Sequence, residues 1–325
     1  MRATEFDRAD SRRVLPKNPH TDAARRDSPR IAVLTLRGSR YGRQLLRTLT
    51  ARVGRPALVL VSDNSLQRRW RLLRSVAGRI GWRDAILYGF EETVRPTQPS
   101  MAAKDEWTGY GALADAVVHV PSVSSPIVAD ALRRHEIDLL LLGQSGIVPE
   151  SVFTVPKIAT LNAHPGWLPD YQGIDCAAWT VLDGRFDLIG SSLHRVDRGV
   201  DTGAIVTQRR YRWCGDETLQ TLESRLYDDC IELLVEAVKD AGRGEFSLQP
   251  NAGGALFRKM PRAVRARACV HLARHVETLR AETRVAAEAK RELAPVAGGS
   301  DQTSRTSSDD GLPEAVIEGE SPEPR

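Results

Sequence analysis

Between residues 30 and 250 the chain alternates short, dense apolar runs with longer stretches whose apolar positions recur at helical spacing. Ile31–Leu36 reads as a buried first strand, and Tyr41–Arg52 as the helix after an Arg37-Gly38-Ser39 turn. Ala57–Val61 is a second buried strand, and Ser65–Arg79 an amphipathic helix with Trp70, Leu72, Leu73 and Val76 on its apolar side. Residues 65–115 as a whole read as an insertion over the sheet edge. Regular pattern resumes with a strand at Ala116–Val120, a helix at Ser124–His135 with serines at its start, and the strongly apolar strand Asp138–Leu142. A short helix around Pro149–Phe153 leads into strand Ile158–Leu161. Then come a helix at Cys176–Leu182, strands at Leu188–Arg195 and Ala204–Arg210, and a long amphipathic helix at Glu217–Val238. Strands alternating with helices at these intervals predict an α/β fold: a doubly wound, mostly parallel sheet. Ligands in such sheets bind outside the carboxyl ends of the strands.

The two ends differ from this body. Residues 1–29 are rich in Arg, Asp and Pro without periodicity and read as disordered. Residues 251–292 form a basic appendage, predicted helical from apolar positions at Val264, Ala268, Leu272, Val276 and Leu279. Residues 293–325 read as a disordered acidic tail. The formal net charge of +4 is segregated accordingly: residues 1–30 carry +3, 258–292 carry +6 and 301–325 carry −5. The body is therefore neutral, which disfavours a dedicated nucleic-acid binder, whose positive charge gathers on a folded face. No run of about 18 apolar residues is present, so no membrane span is expected. The four cysteines are widely spaced without C-x-x-C pairs, which argues for a reducing, cytoplasmic setting and against a thiolate metal site.

Candidate chemistry concentrates in Asn162-Ala163-His164-Pro165-Gly166-Trp167-Leu168-Pro169-Asp170-Tyr171-Gln172-Gly173. Strand periodicity of two puts the Asn162 amide and the His164 imidazole on one face, at a strand end before a Pro/Gly-rich loop. An amide donor beside a titratable base suits stabilisation of a developing oxyanion during acyl transfer. Downstream, Asp197-Arg198-Gly199-Val200-Asp201-Thr202-Gly203 forms a tight acidic loop between two strands. Glycines on either side of Asp201 let the backbone approach a ligand and aim a carboxylate. Other readings fail on pattern. Gly143-Gln144-Ser145-Gly146 lacks the final glycine of a nucleophile elbow, with Ile147 in its place. Neither a dinucleotide fingerprint nor a P-loop is present. His194 lies inside a strand pattern and reads as structural, Asp197 as loop-fixing, and Tyr171 and Gly173 as shaping their loop.

The order N-x-H-P-x-x-L-P-x-Y-x-G and then D-x-G-x-D-T-G resembles the formyltransferase family, which includes glycinamide ribonucleotide, methionyl-tRNA and amino-sugar formyltransferases. The resemblance covers roughly residues 30–245 and implies a Rossmann-like catalytic domain over residues 30–250. It implies formyl transfer from 10-formyltetrahydrofolate to a primary amine, with Asn162, His164 and Asp201 as the catalytic residues and no metal. In that reading His164 is held charged by Asp201 and seconds Asn162 as an oxyanion donor. Folate would lie against Leu142, Gly143, Gly146 and Val148, with Asp197 in the loop that closes the pocket. The acceptor would meet Arg37, Gly38, Ser39, Tyr171 and Gly173.

Departures from the family narrow the acceptor. The loop Leu36-Arg37-Gly38-Ser39-Arg40-Tyr41-Gly42 has one central glycine and two arginines where glycinamide ribonucleotide enzymes carry a Gly/Ser-rich phosphate cradle. A basic helix stands where the tRNA enzymes append a β-barrel-like domain. A small-molecule amine, foremost a nucleotide-linked amino sugar, is favoured. Methionyl-tRNA formylation and hydrolysis of 10-formyltetrahydrofolate are the alternatives. Nothing in the sequence fixes the oligomeric state.

Overall fold

The computed structural model describes residues 28–63, 109–241 and 246–292. The helix expected at Ser65–Arg79, most of the 65–115 insertion, the segment 1–27 and the tail beyond residue 292 lie outside the described residues.

A seven-stranded sheet is built from β1 (Ile31–Leu36), β2 (Leu58–Ser62), β3 (Val117–Val120), β4 (Leu139–Gly143), β5 (Ala159–His164), β7 (Gly190–Arg195) and β8 (Ile205–Arg210), in the order 3-2-1-4-5-7-8. Strands β3, β2, β1, β4 and β5 are parallel, while β7 and β8 add antiparallel at the β5 edge. The order reverses between β1 and β4, so a crevice opens at their carboxyl ends. The expected mostly parallel sheet is thus present, with the turnaround at β7 as the departure. Its reason is the route between β5 and β7, which runs through a Pro-rich loop, the seven-residue helix α5 (Cys176–Leu182) and a 3-10 turn at Phe186–Leu188. That turn occupies the first residue of the strand expected from Leu188.

Period two decides what each strand buries. Val33, Val59, Leu139, Leu141, Leu161 and Leu193 pack under α1 (Arg40–Arg52) and the long α6 (Leu219–Ala241). Ala32, Leu34, Leu58, Leu60, Leu140 and Leu142 face the other way, onto α3 (Pro126–Arg134) and α4 (Glu150–Phe153). Both faces of the central strands are apolar and covered, as a parallel sheet requires. On β5 the rule yields something else. Ala159, Leu161 and Ala163 join the α6 side, which leaves Thr160, Asn162 and His164 on the opposite face. Leu193 of β7 does the same and leaves Ser192 and His194 beside them. The polar face of these two neighbouring strands is the floor of the candidate site.

Ser39 caps α1, its hydroxyl accepting the Gly42 N–H at 3.0 Å. Short helix α2 (Gly109–Leu113) precedes β3. A two-stranded pair, β6 (Tyr171–Gly173) with β9 (Ala255–Phe257), was not expected from sequence. The last helix, α7 (Arg262–Glu292), buries Ala268, Leu272 and Val276 against Ala178, Val181, Leu222 and Leu226 of α5 and α6. The predicted apolar stripe of this segment is therefore a packing face. Residues to Leu279 form one compact unit; a second begins at Arg280, whose described part is helical. Among the described residues no helix is long and apolar enough to cross a membrane.

Candidate functional site

Asn162 and His164 project from the end of β5, and Asp201 approaches them from the loop between β7 and β8. The His164 Nδ1 lies 3.5 Å from Asp201 Oδ2. Asn162 Nδ2 donates to Asp201 Oδ1 at 3.4 Å. His194 completes the group: its Nε2 is 3.1 Å from Asn162 Nδ2 and 3.5 Å from Asp201 Oδ1. The three acid and imidazole side chains are sequestered, with only 14% of Asp201, 5% of His164 and 3% of His194 exposed. The structure brings together the three residues singled out in the sequence, Asn162, His164 and Asp201, and sets beside them His194, which reads as structural from sequence alone. Strand register could have found it, because Asn162 and His194 are directly opposed across the antiparallel β5–β7 pair, where partners share a face.

Tautomers follow from the carbonyls, which only accept. His164 Nε2 bonds to the Tyr171 carbonyl at 2.9 Å, so Nε2 carries the proton and Nδ1 faces the carboxylate. His194 Nδ1 bonds to its neighbour's carbonyl, Arg195 O, at 2.8 Å, so in the neutral ring Nε2 accepts from Asn162. Burial lowers the His164 pKa below the ordinary 6.5, outweighing the opposite pull of Asp201 and of the Tyr171 carbonyl; His194 adds to the lowering. Near neutral pH the free site therefore holds a neutral His164, unlike the charged imidazole expected from the resemblance. Burial works to raise the Asp201 carboxyl, but the His194 and His164 rings and the Gly173 N–H outweigh it and hold it below the usual value. An ionised carboxylate thus faces an imidazole nitrogen able to take up a proton. A nearby amide can donate to a growing oxyanion. Such a group can move a proton during acyl transfer.

The surrounding residues fix this geometry. The Gly173 N–H donates to Asp201 Oδ2 at 3.0 Å. Asp201 itself is left-handed, at φ +55. Asp197 Oδ1 accepts from the Gly199 N–H at 3.0 Å and the Thr202 hydroxyl at 2.7 Å, which makes it the loop-fixing residue the sequence suggested. A Cβ on Gly166 would lie 2.5 Å from His164 Nε2 and 2.9 Å from the Cys176 Cβ, so glycine there is a steric requirement. Burial, reinforced by Asp201 and Asp175, pushes the Cys176 thiol well up. It stays protonated, which removes a Cys–His nucleophile from consideration.

The other predicted contacts lie along the carboxyl edge of the sheet. Leu142 and Val148 are buried in the core, so the loop after β4 offers its main chain, around Gly143 and Gly146, and the exposed Ile147. Arg37, Gly38 and Ser39 follow β1, and the Ser39 hydroxyl donates to Gln144 Oε1 at 3.0 Å, joining the two loops at the switch point. The Tyr171 hydroxyl donates to Asp183 at 3.1 Å, and its ring stacks on Phe257. A separate grouping of Cys214, Asp216 and Glu217 has metal-ligand chemistry. There, Glu217 already accepts the Cys214 and Gly215 N–H groups and the Tyr211 hydroxyl, and Asp216 pairs with Arg225.

Gly173 combines two demands. Its φ is +98, and a Cβ would stand 2.2 Å from the Phe257 carbonyl oxygen. Gly173→Ala is expected to cost about 1–3 kcal/mol of stability, read as a lowered denaturant midpoint. An unchanged midpoint would show that the β6–β9 pair can shift to accommodate a side chain.

Parts of the chain are similar to known proteins. The family model described as formyl transferase matches residues 88–238. The methionyl-tRNA formyltransferase of Prochlorococcus marinus (strain MIT 9515) is 32% identical over 108 residues, which are 33% of this chain and 33% of that relative. The alignment thus spans about a third of the relative's length. Among solved structures, glycinamide ribonucleotide transformylase 1 from Symbiobacterium toebii is similar at a TM-score of 0.45 with 21% identity, over 67% of this chain and 89% of that one. A 4-N formyltransferase from Francisella tularensis is similar at a TM-score of 0.46 with 14% identity, over 74% and 86%. Asn162, His164, His194 and Asp201 all fall within residues 88–238, the span over which the chain is similar to the formyl transferase family.

Proposed function

We propose that this protein transfers a formyl group from 10-formyltetrahydrofolate to a primary amine. The observation that carries the reading is the convergence of Asn162, His164 and Asp201, with the carboxylate ionised and the imidazole neutral. The amine nitrogen attacks the formyl carbon, and the carbonyl electrons move onto oxygen. Asn162 Nδ2 meets that oxyanion by giving up its 3.4 Å bond to Asp201, which is long enough to exchange readily. The proton shed by the attacking amine passes to His164 Nδ1, directly or through water, where Asp201 stabilises the resulting imidazolium. The tetrahedral carbon then collapses, the carbon–nitrogen bond to folate N10 breaks, and the same proton leaves with that nitrogen. No net proton is consumed. The folate lies along the loop after β4, read by the main chain of Gly143 and Gly146, with Leu142, Val148 and Asp197 fixing the loops on either side.

We propose a nucleotide-linked amino sugar as the acceptor, a small molecule handled in the cytoplasm. Arg37 and Ser39 follow β1, which is two strand spacings, about 10 Å, from β5. A hexose amine at Asp201 and its diphosphate at Arg37 suit that span, with Tyr171 and Gly173 along the wall between. Methionyl-tRNA is the second reading, favoured by the names of the curated relatives. To decide, the protein is incubated with 10-formyltetrahydrofolate and either nucleotide amino sugars, methionyl-tRNA or glycinamide ribonucleotide, and the products are followed by mass. Formylated sugar nucleotide is the expected product. Formylated methionyl-tRNA alone would replace this acceptor with the second, and no formylated product with any amine would remove the reading.

The protonation states predict a pH dependence. Neutral His164 is the proton acceptor, so turnover is present above its midpoint and lost as the pH falls through it. Burial places that midpoint below 6.5. The unfolded chain takes up this proton first, so the group's contribution to stability is likewise present above pH 6.5 and declines below it. The acid limb of kcat/KM is the measurement, and a midpoint at or above 6.5 would contradict the assignment.

A further inference from the structure

Asp201 occupies a backbone conformation that costs a non-glycine residue about 1–3 kcal/mol unless its surroundings fix it. Its carboxylate is held by the Gly173 N–H, but its main chain is held from elsewhere. After α6 the chain returns along the sheet edge, where Gln249 and Ile205 exchange main-chain hydrogen bonds at 2.8 and 2.9 Å. Two residues later the Asn251 amide donates one hydrogen to the Asp201 carbonyl at 2.9 Å and the other to the Gly203 carbonyl at 2.8 Å. Both bonds are well within normal length. They close over the left-handed turn and fix the direction in which the Asp201 side chain leaves the backbone.

The same return segment also holds the opposite wall of the site. A Cβ on Gly254 would stand 1.6 Å from the Pro169 carbonyl oxygen, so the two backbones are in contact. Ala255–Phe257 pairs with Tyr171–Gly173, the strand whose Tyr171 carbonyl orients His164 and whose Gly173 N–H holds Asp201. Trp179 Nε1 donates to the Arg258 carbonyl at 2.8 Å, and the Met260 N–H to Asp175 Oδ2 at 2.9 Å, tying the segment to the head of α5. Gln249 to Met260 therefore spans both loops that carry the candidate chemistry. All of it lies beyond residues 88–238, the part that matches the family.

The geometry points to Asn251 as a positioning residue for formyl transfer, the side chain that sets where the Asp201 carboxylate stands relative to His164 and Asn162. This rests on the proposed activity. Asn251 touches neither donor nor acceptor in that reading and acts through Asp201 alone. Its replacement by aspartate is isosteric but sets a carboxylate against two carbonyl oxygens. Replacement by alanine leaves those oxygens without their donors.

The test compares Asn251→Ala and Asn251→Asp with the unaltered full chain by two independent readouts. The first is steady-state kinetics with 10-formyltetrahydrofolate. The expected result is a fall in kcat of about 10- to 100-fold, with KM for donor and acceptor changed less than about twofold. The second is the titration of the His164 ring by NMR, which needs no substrate. The groups facing that ring are Asp201, His194 and the Tyr171 carbonyl, and of these Asp201 is the one whose charge raises its midpoint. If Asp201 swings away, the His164 midpoint falls in both variants. An unmoved midpoint overturns the assignment, as does a kcat loss that merely follows a loss of folded protein. Should the unaltered protein prove unable to transfer formyl, the titration still decides whether Asn251 places Asp201. Should Asn251→Ala fail to fold, Asn251→Asp carries the same two readouts.

Discussion

Asp201→Asn is expected to abolish most formyl transfer, with kcat lower by on the order of 10⁴ and the folded state retained. That is the scale on which a histidine-orienting carboxylate is lost to its own amide in acyl-transfer enzymes. The reason lies in the four groups around this side chain. The Gly173 N–H donates to Oδ2, so the amide oxygen of the substituted residue must stay there. Its NH₂ then takes the place of Oδ1 and meets the Asn162 Nδ2, which is also a donor. Two donors now face each other, and the negative charge that stabilises a protonated His164 is gone. The His164 midpoint, already lowered by burial, falls further. Single-turnover kinetics with a matched unfolding curve checks this. Retention of more than about a tenth of the wild-type kcat would show that the carboxylate is not on the proton's path.

Asn162→Ala is expected to lower kcat by on the order of 10²–10³, or about 2.7–4 kcal/mol of transition-state stabilisation. KM for the donor should change little, because the amide meets an oxygen that becomes negative only during reaction. The isosteric Asn162→Asp distinguishes a donor from a spacer. It keeps the volume but sets a second carboxylate 3.4 Å from Asp201, where like charges cannot both ionise readily. Its activity should be lower still. Equal activity of Asn162→Asp and the unaltered protein would contradict the oxyanion assignment.

Much of this architecture is legible in the sequence because burial on a sheet leaves a periodic trace. The runs at β1, β2 and β4 are apolar on both faces, with Thr35 and Ser62 as buried polar exceptions, since helices cover both sides of the sheet. The helix at Cys176–Leu182 is predicted to the residue. Asn162 and His164 stand out because their two-residue spacing interrupts such a run at its end. His194 left no comparable mark. A single histidine in an alternating strand is indistinguishable from a packed one until its partner strand is known, and that partner runs antiparallel, against the expected trend. The β6–β9 pair was hidden for a different reason. Each strand has three residues, and the two are about 80 residues apart in sequence. For His164, sequence reveals the neighbouring carboxylate, which favours a charged ring, but not the burial, which favours a neutral one. The Asn251 clamp is a matter of two hydrogen bonds from an irregular segment, for which no periodicity exists.

The most direct test of the central assignment follows a carbon-13-labelled formyl group. The label is supplied on 10-formyltetrahydrofolate, with the acceptor mixture present, to the unaltered protein and to Asp201→Asn, and its fate is read by NMR. The unaltered protein should convert the label to a formamide carbon on the acceptor, while the variant leaves it on the folate. Equal formamide from both, or label released only as formate at the same rate in both, would contradict a formyl-transfer site built on Asn162, His164 and Asp201.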